Sequence, residues 1–161
     1  MKVKASSGVM PLLLILLSLW MAPVLGQAQE MPMFDAHIHY SHGDWDTLSP
    51  QQALALLERA GVRQALVSST PDDGTLKLYQ ADPKRIIPFL RPYRTRGDMG
   101  GWHSDPAVQA YVEERLARGV YKGIGEFHLS AADTDKPVVK RLAELAAKQQ
   151  LFNGERLFGR R

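Results

Sequence analysis

The chain of 161 residues contains no cysteine, which excludes stabilisation by disulfides and excludes a lipid anchor attached through a cysteine. It also lacks a membrane-spanning run, since its main apolar stretch, from Met10 to Met21, is shorter than the ~20 residues that such a helix needs. The formal net charge is only +3, and no stripe of lysine and arginine points to nucleic acid. We find no internal repeat, low-complexity tract or linker. Without disulfides, the fold must rely on a packed core, on bound metal, or on both.

The first 28 residues are typical of a secretory signal peptide. Lys2 and Lys4 precede the apolar run, and the small residues Gly26 and Ala28 follow it. We therefore predict a signal peptide over residues 1–28 and an exported protein, periplasmic or secreted, with a retained leader as the alternative. Loss of the two lysines lowers the formal charge from +3 to about +1, so the basic balance is partly a property of the leader.

The remaining residues, about 133, alternate between strand and helix patterns. Strands are predicted at 34–38, 64–68, 85–90 and 121–127, and helices at 50–60, 72–81, 105–118 and 135–149. Four strand–helix units predict an α/β fold with parallel strands, either a small open sheet or part of an eight-unit barrel. A complete barrel needs ~250 residues, so residues 29–152 would supply about four of eight units, a half-barrel.

The end of the chain changes in character. Gln150–Phe152 is typical of the start of a fifth strand, whereas residues 153–161 are rich in glycine and arginine and predict an irregular tail. We interpret the sequence as a truncated or frame-shifted product, with a genuine short protein as the alternative.

Two histidines close the first predicted strand. Because alternate side chains of a strand share a face, we expect Asp35, His37 and His39 to point the same way. The chemistry of parallel α/β folds collects at the carboxyl ends of their strands, and neutral imidazoles bind divalent metals. The pattern therefore predicts that His37 and His39 hold a metal from one side.

Glu126 and His128 stand at the end of the fourth predicted strand, on one face of it. A buried carboxylate is costly unless it is paired or binds metal, so we predict Glu126 as a third metal ligand, with an ordinary salt bridge as the alternative. His128 is a candidate substrate-binding residue, and an outer position around the metal or a plain loop position is equally compatible with the sequence.

Arg91 and Tyr93 follow the third strand and are predicted to lie at the same mouth. Because arginine binds carboxylates with two hydrogen bonds, both are candidates for binding an acidic substrate. Structural pairing of Arg91 with Asp35 or Glu126 is the alternative. Trp102 and His103, in a glycine-rich loop, are interpreted as part of a lid or of a mobile loop.

Two of these segments resemble the amidohydrolase superfamily of metal-dependent hydrolases. Phe34–His39 resembles its strand-one signature, and Gly123–Phe127 resembles the strand-four segment of its TatD-like and amidohydrolase-2 branches. The resemblance spans about residues 33–150 and four of the eight units of a TIM barrel. It implies a ligand set of His37, His39 and Glu126.

The resemblance also implies a function. Members of this superfamily bind one or two divalent ions, often zinc, and use metal-activated water to cleave C–N, C–O or P–O bonds of small molecules. They further use histidines after strands five and six and an aspartate after strand eight, to which no residue here corresponds. The catalytic residues are therefore unknown, and the chain is expected to be an incomplete form of an exported hydrolase.

A non-enzymatic protein is the alternative. Four βα units could dimerise and act as a periplasmic metal-binding or protein-interaction module, since the open edges of a half-barrel favour self-association. A pseudogene product without function is a third interpretation.

Overall fold

The computed structural model describes residues 31–153, in which strands and helices alternate along the chain. The strands are β1 (Met33–Ile38), β2 (Val62–Val67), β3 (Ile86–Leu90), β4 (Gly123–Ile124) and β5 (Phe152–Asn153). The helices are α1 (Pro50–Arg59), α2 (Asp73–Ala81), α3 (Pro106–Leu116) and α4 (Pro137–Lys148). The predicted signal peptide and residues 154–161 of the predicted tail lie outside the described residues, whereas Asn153, predicted to begin that tail, belongs to β5.

The strands form one curled parallel sheet in the order β1-β2-β3-β4-β5, like part of a barrel wall. Each pair of neighbouring strands is joined through one helix, as parallel pairing requires. The predicted α/β class and the parallel half-barrel arrangement are confirmed. Between residues 31 and 153, no helix has the length and apolar character needed to cross a bilayer.

Local sequence signals explain where the helices begin and end. Ser49 precedes α1, and its hydroxyl accepts a hydrogen bond from the Gln52 N–H in the first turn. Asp105 precedes α3, and its carboxylate accepts one from a backbone N–H in the first turn of that helix. Gly61 and Gly119 follow these helices with φ of +75° and +71°, a conformation that favours glycine. The predicted boundaries of both helices therefore hold to within about two residues.

The fourth strand is shorter than the sequence predicts. The expected strand at 121–127 pairs only over Gly123 and Ile124, because Gly125 adopts a φ of +146° and takes the chain out of the extended region. Side-chain alternation therefore stops before Glu126. The prediction that Glu126 and His128 share one strand face is wrong, because both residues follow β4 in a segment without regular secondary structure.

Helices cover the sheet through two hydrophobic clusters. The first joins α3 and α4 to the ends of β3 and β4, and the second joins α1 and α2 to β1 and β2. The predicted apolar stripe of α4 is confirmed, because all its members are buried: Val138, Val139, Leu142, Leu145 and Ala146. Each half of the sheet thus has its own apolar support.

A buried carboxylate lies behind the sheet, at the start of α2. Asp72 is fully buried, and its Oδ2 atom accepts a hydrogen bond from the Tyr121 hydroxyl and lies 3.5 Å from Arg115 Nη1. Its Oδ1 atom has no hydrogen-bond partner among the described residues. Burial raises the pKa of Asp72 to about 6, because desolvation outweighs the attraction of the arginine.

This carboxylate should make stability depend on pH. The folded protein binds the Asp72 proton more tightly than the unfolded chain does, so stability falls as pH rises from about 4 to about 6 and then levels off. Replacing Asp72 with asparagine removes this dependence. Urea unfolding should therefore show Asp72→Asn gaining up to about 3 kcal/mol over wild type between pH 4 and pH 7.

Asp73→Asn is the matched control, because it removes the half-exposed carboxylate that is bonded to the same arginine. The role assigned to Asp72 is contradicted if the stability difference between Asp72→Asn and wild type stays constant over this pH range.

One glycine allows α2 to approach the loop that follows β1. An added Cβ at Gly74 would lie 1.7 Å from the carbonyl oxygen of Tyr40. Alanine favours helix by about 1 kcal/mol, yet we expect Gly74→Ala to destabilise the protein by about 2 kcal/mol or more, since backbone must move to admit the methyl group. Thermal or urea unfolding measures the effect.

Gly43→Ala provides the comparison, because no atom lies within 4 Å of the position that its Cβ would occupy. This variant should stay within about 0.5 kcal/mol of wild type. Equal stability losses in the two variants would exclude the close approach as the cause.

Candidate metal site

The two histidines of β1 meet at the carboxyl end of the strand. β1 ends at Ile38, so His37 is its penultimate residue and His39 follows directly. Alternation along the strand brings their Nε2 atoms to 3.1 Å from each other. The Asp35 carboxylate accepts a hydrogen bond of 3.0 Å from the His37 N–H, which fixes the backbone between Asp35 and His37.

Glu126 reaches this pair from the end of β4. Its Oε2 atom lies 3.3 Å from His37 Nε2 and 3.2 Å from His39 Nε2. The ligand atoms of the three residues all lie within 4.8 Å of one another. Among residues 31–153, this is the one group of three or more histidine and acidic side chains with metal-binding geometry. The residues that the sequence predicted as ligands therefore come together.

The protonation of His39 follows from its partner. Its Nδ1 atom contacts the carbonyl oxygen of Ser68, which can only accept, so Nδ1 carries the proton. Burial lowers the pKa of His39, which favours the neutral ring. In that tautomer, Nε2 presents a lone pair toward Glu126. A carbonyl that orients the far nitrogen in this way is common around metal-binding histidines.

The chemistry of the donor set fits a divalent cation. Glu126 Oε2 is buried and has no hydrogen-bond partner among the described residues, although two imidazole nitrogens lie beside it. An orphaned buried oxygen is costly, and a cation shared with the histidines would satisfy it. Two imidazole nitrogens and one carboxylate oxygen are a zinc-type set. The His37 side chain is 59% exposed, so solvent reaches the group.

Arg91 faces Glu126. Its Nε atom donates to the Glu126 carbonyl oxygen at 3.2 Å, its Nη1 atom to Thr70 Oγ1 at 3.4 Å, and its Nη2 atom lies 3.8 Å from Glu126 Oε2. Arg91 is only 7% exposed. The structural pairing with Glu126 is thus the arrangement observed, and the guanidinium is directed at the protein itself.

Tyr93 is likewise turned inward. It is fully buried, and its hydroxyl accepts a 2.7 Å hydrogen bond from the His128 N–H. Burial raises the pKa of Tyr93, so the phenol is protonated at neutral pH. The His128 residue is exposed and does not belong to the three-residue group. Of the three predicted substrate-binding residues, Arg91 and Tyr93 are therefore buried and His128 is exposed.

The burial of Trp102 differs from the sequence-based expectation. It was interpreted as part of a lid or a mobile loop, but it is 1% exposed and its indole N–H donates to the His128 carbonyl oxygen at 2.9 Å. Its large apolar ring, a few residues before the N-cap of α3, is the sequence signal that could have predicted its burial.

Comparison with protein-family models, with curated proteins and with solved structures finds no match to this chain.

Proposed function

We propose that this chain belongs to a metal-dependent hydrolase of the amidohydrolase type, an exported (β/α) barrel protein that uses zinc and acts on a small molecule. The meeting of His37, His39 and Glu126 at one strand end carries the proposal. The resemblance of the β1 and β4 segments to that superfamily supports it, as does the parallel half-barrel.

A divalent cation at this site would activate water and polarise the bond to be cleaved. The side chains have separate tasks around it. The imidazoles of His37 and His39 and the Glu126 carboxylate hold it, and Arg91 balances the carboxylate charge from the protein side. The exposed face of His37 leaves one side open to a substrate.

Zinc binding is the first test. Titration of purified protein with Zn²⁺, followed by calorimetry, should show one tight site. Glu126→Gln and His37→Ala should each weaken it by about 100-fold or more, because loss of a direct ligand costs at least as much as loss of an outer partner.

The control is His42→Ala, because His42 is an exposed loop histidine outside the three-residue group. This variant should bind Zn²⁺ as wild type does, and His128→Ala shows in the same assay whether that exposed ring contributes. Absence of stoichiometric Zn²⁺ binding by wild type would end the proposal.

A non-enzymatic metal-binding or dimerising module is the second candidate. The observation that favours it is the half-exposure of two apolar side chains of β1, Met33 at 50% and Phe34 at 53%. This candidate predicts a dimer by light scattering and no turnover of ester, anilide or phosphodiester chromogenic substrates when Zn²⁺ is bound. For the hydrolase, this incomplete chain is expected to retain little turnover, and Glu126→Gln abolishes what remains.

A further inference from the structure

The strand that delivers Glu126 ends before it. β4 consists of Gly123 and Ile124, and the next backbone bond to β3 runs from the Gly125 N–H to the Leu90 carbonyl oxygen at 2.9 Å. Glu126 lies after this last rung, on a segment without regular secondary structure. The sheet alone therefore does not fix the carboxylate, although a metal ligand must be held to within a fraction of an ångström.

Beyond the last backbone hydrogen bond between β3 and β4, three side chains from the segment after β3 bond to the backbone of residues 126 and 128. Arg91 Nε donates to the Glu126 carbonyl oxygen at 3.2 Å. The Tyr93 hydroxyl accepts from the His128 N–H at 2.7 Å, and Trp102 Nε1 donates to the His128 carbonyl oxygen at 2.9 Å. We call Arg91, Tyr93 and Trp102 the β3 clamp.

The β3 clamp is itself rigid. Its members are 7%, 0% and 1% exposed, in chain order, and close packing leaves buried side chains in one rotamer. The Arg91 guanidinium lies 4.9 Å from the Tyr93 ring centre, and the Tyr93 and Trp102 rings are 6.4 Å apart. Trp102 also packs on Phe127, between the two clamped residues, at 4.9 Å. Each hydrogen bond thus starts from a fixed point.

We infer that Tyr93 and Trp102 are positioning residues that set the place of Glu126 through the backbone of residue 128. They bind no substrate themselves, which assigns Tyr93 a different role from the one that its sequence position suggested. The inference rests on the proposed function, because Glu126 needs a fixed place only if it binds metal. The hydrogen bonds of the β3 clamp can be tested in the metal-free protein.

The test uses Tyr93→Phe, which keeps the ring and removes one hydrogen bond, and Trp102→Phe, which removes the other hydrogen bond together with part of the buried indole. Zn²⁺ affinity, measured by competition with a chromophoric chelator, should fall about five-fold in Tyr93→Phe, the change that loss of one net hydrogen bond produces, and at least as much in Trp102→Phe. In the metal-free protein, amide hydrogen exchange over residues 126–130 should accelerate by a similar factor, while exchange in β2 and β3 stays at its wild-type rate.

The control is Tyr111→Phe, because Tyr111 lies on α3 outside the β3 clamp and its hydroxyl makes no hydrogen bond to residues 126–130. It should match wild type in both measurements. The inference is overturned if the clamp variants bind Zn²⁺ as wild type does, or if faster exchange spreads evenly over the sheet. If wild type binds no Zn²⁺, the proposed function fails, and unchanged exchange in Tyr93→Phe would then overturn the clamp separately.

Discussion

The curl of the sheet is the constraint on which the site depends. β1 and β4 are three strand spacings apart, and neighbouring strands lie ~4.8 Å from each other, so a flat sheet would separate their ends by ~14 Å. Glu126 Oε2 nevertheless lies 3.2 Å from His39 Nε2. Curvature and the inward reach of the side chains close that gap. The close approach of these two side chains therefore reports a barrel-like bend in the described part of the chain.

Patterns of local sequence anticipated the elements but not the irregular backbone. The helices were predictable because caps such as Ser49 and apolar stripes such as that of α4 depend on nearby residues. The two histidines were predictable as a pair because strand alternation fixes their side. The short β4 was not, since a glycine is compatible both with an extended strand and with the φ of +146° that Gly125 adopts, and His128 lies beyond that point in an exposed position.

The surroundings of the ligands were less predictable for a related reason. The carbonyl that orients His39 belongs to the backbone of Ser68, and every residue has such a group. The sequence offered pairing of Arg91 with Glu126 as one of several choices, and only the geometry selects it.

The two buried charged residues Arg91 and Asp72 differ in how far their polar atoms are satisfied. Arg91 donates hydrogen bonds from two nitrogens and its third lies 3.8 Å from Glu126 Oε2, whereas Asp72 keeps an oxygen without a partner in the described part of the chain and has a raised pKa.

The ligand group straddles the boundary between the two hydrophobic clusters. The strand that carries the histidines is supported by the cluster under α1 and α2, and the strand that carries Glu126 by the cluster under α3 and α4. A ligand bound by all three residues would tie these halves together, and local opening of either would release it. Occupancy of such a site would therefore depend on how often both halves are folded at once.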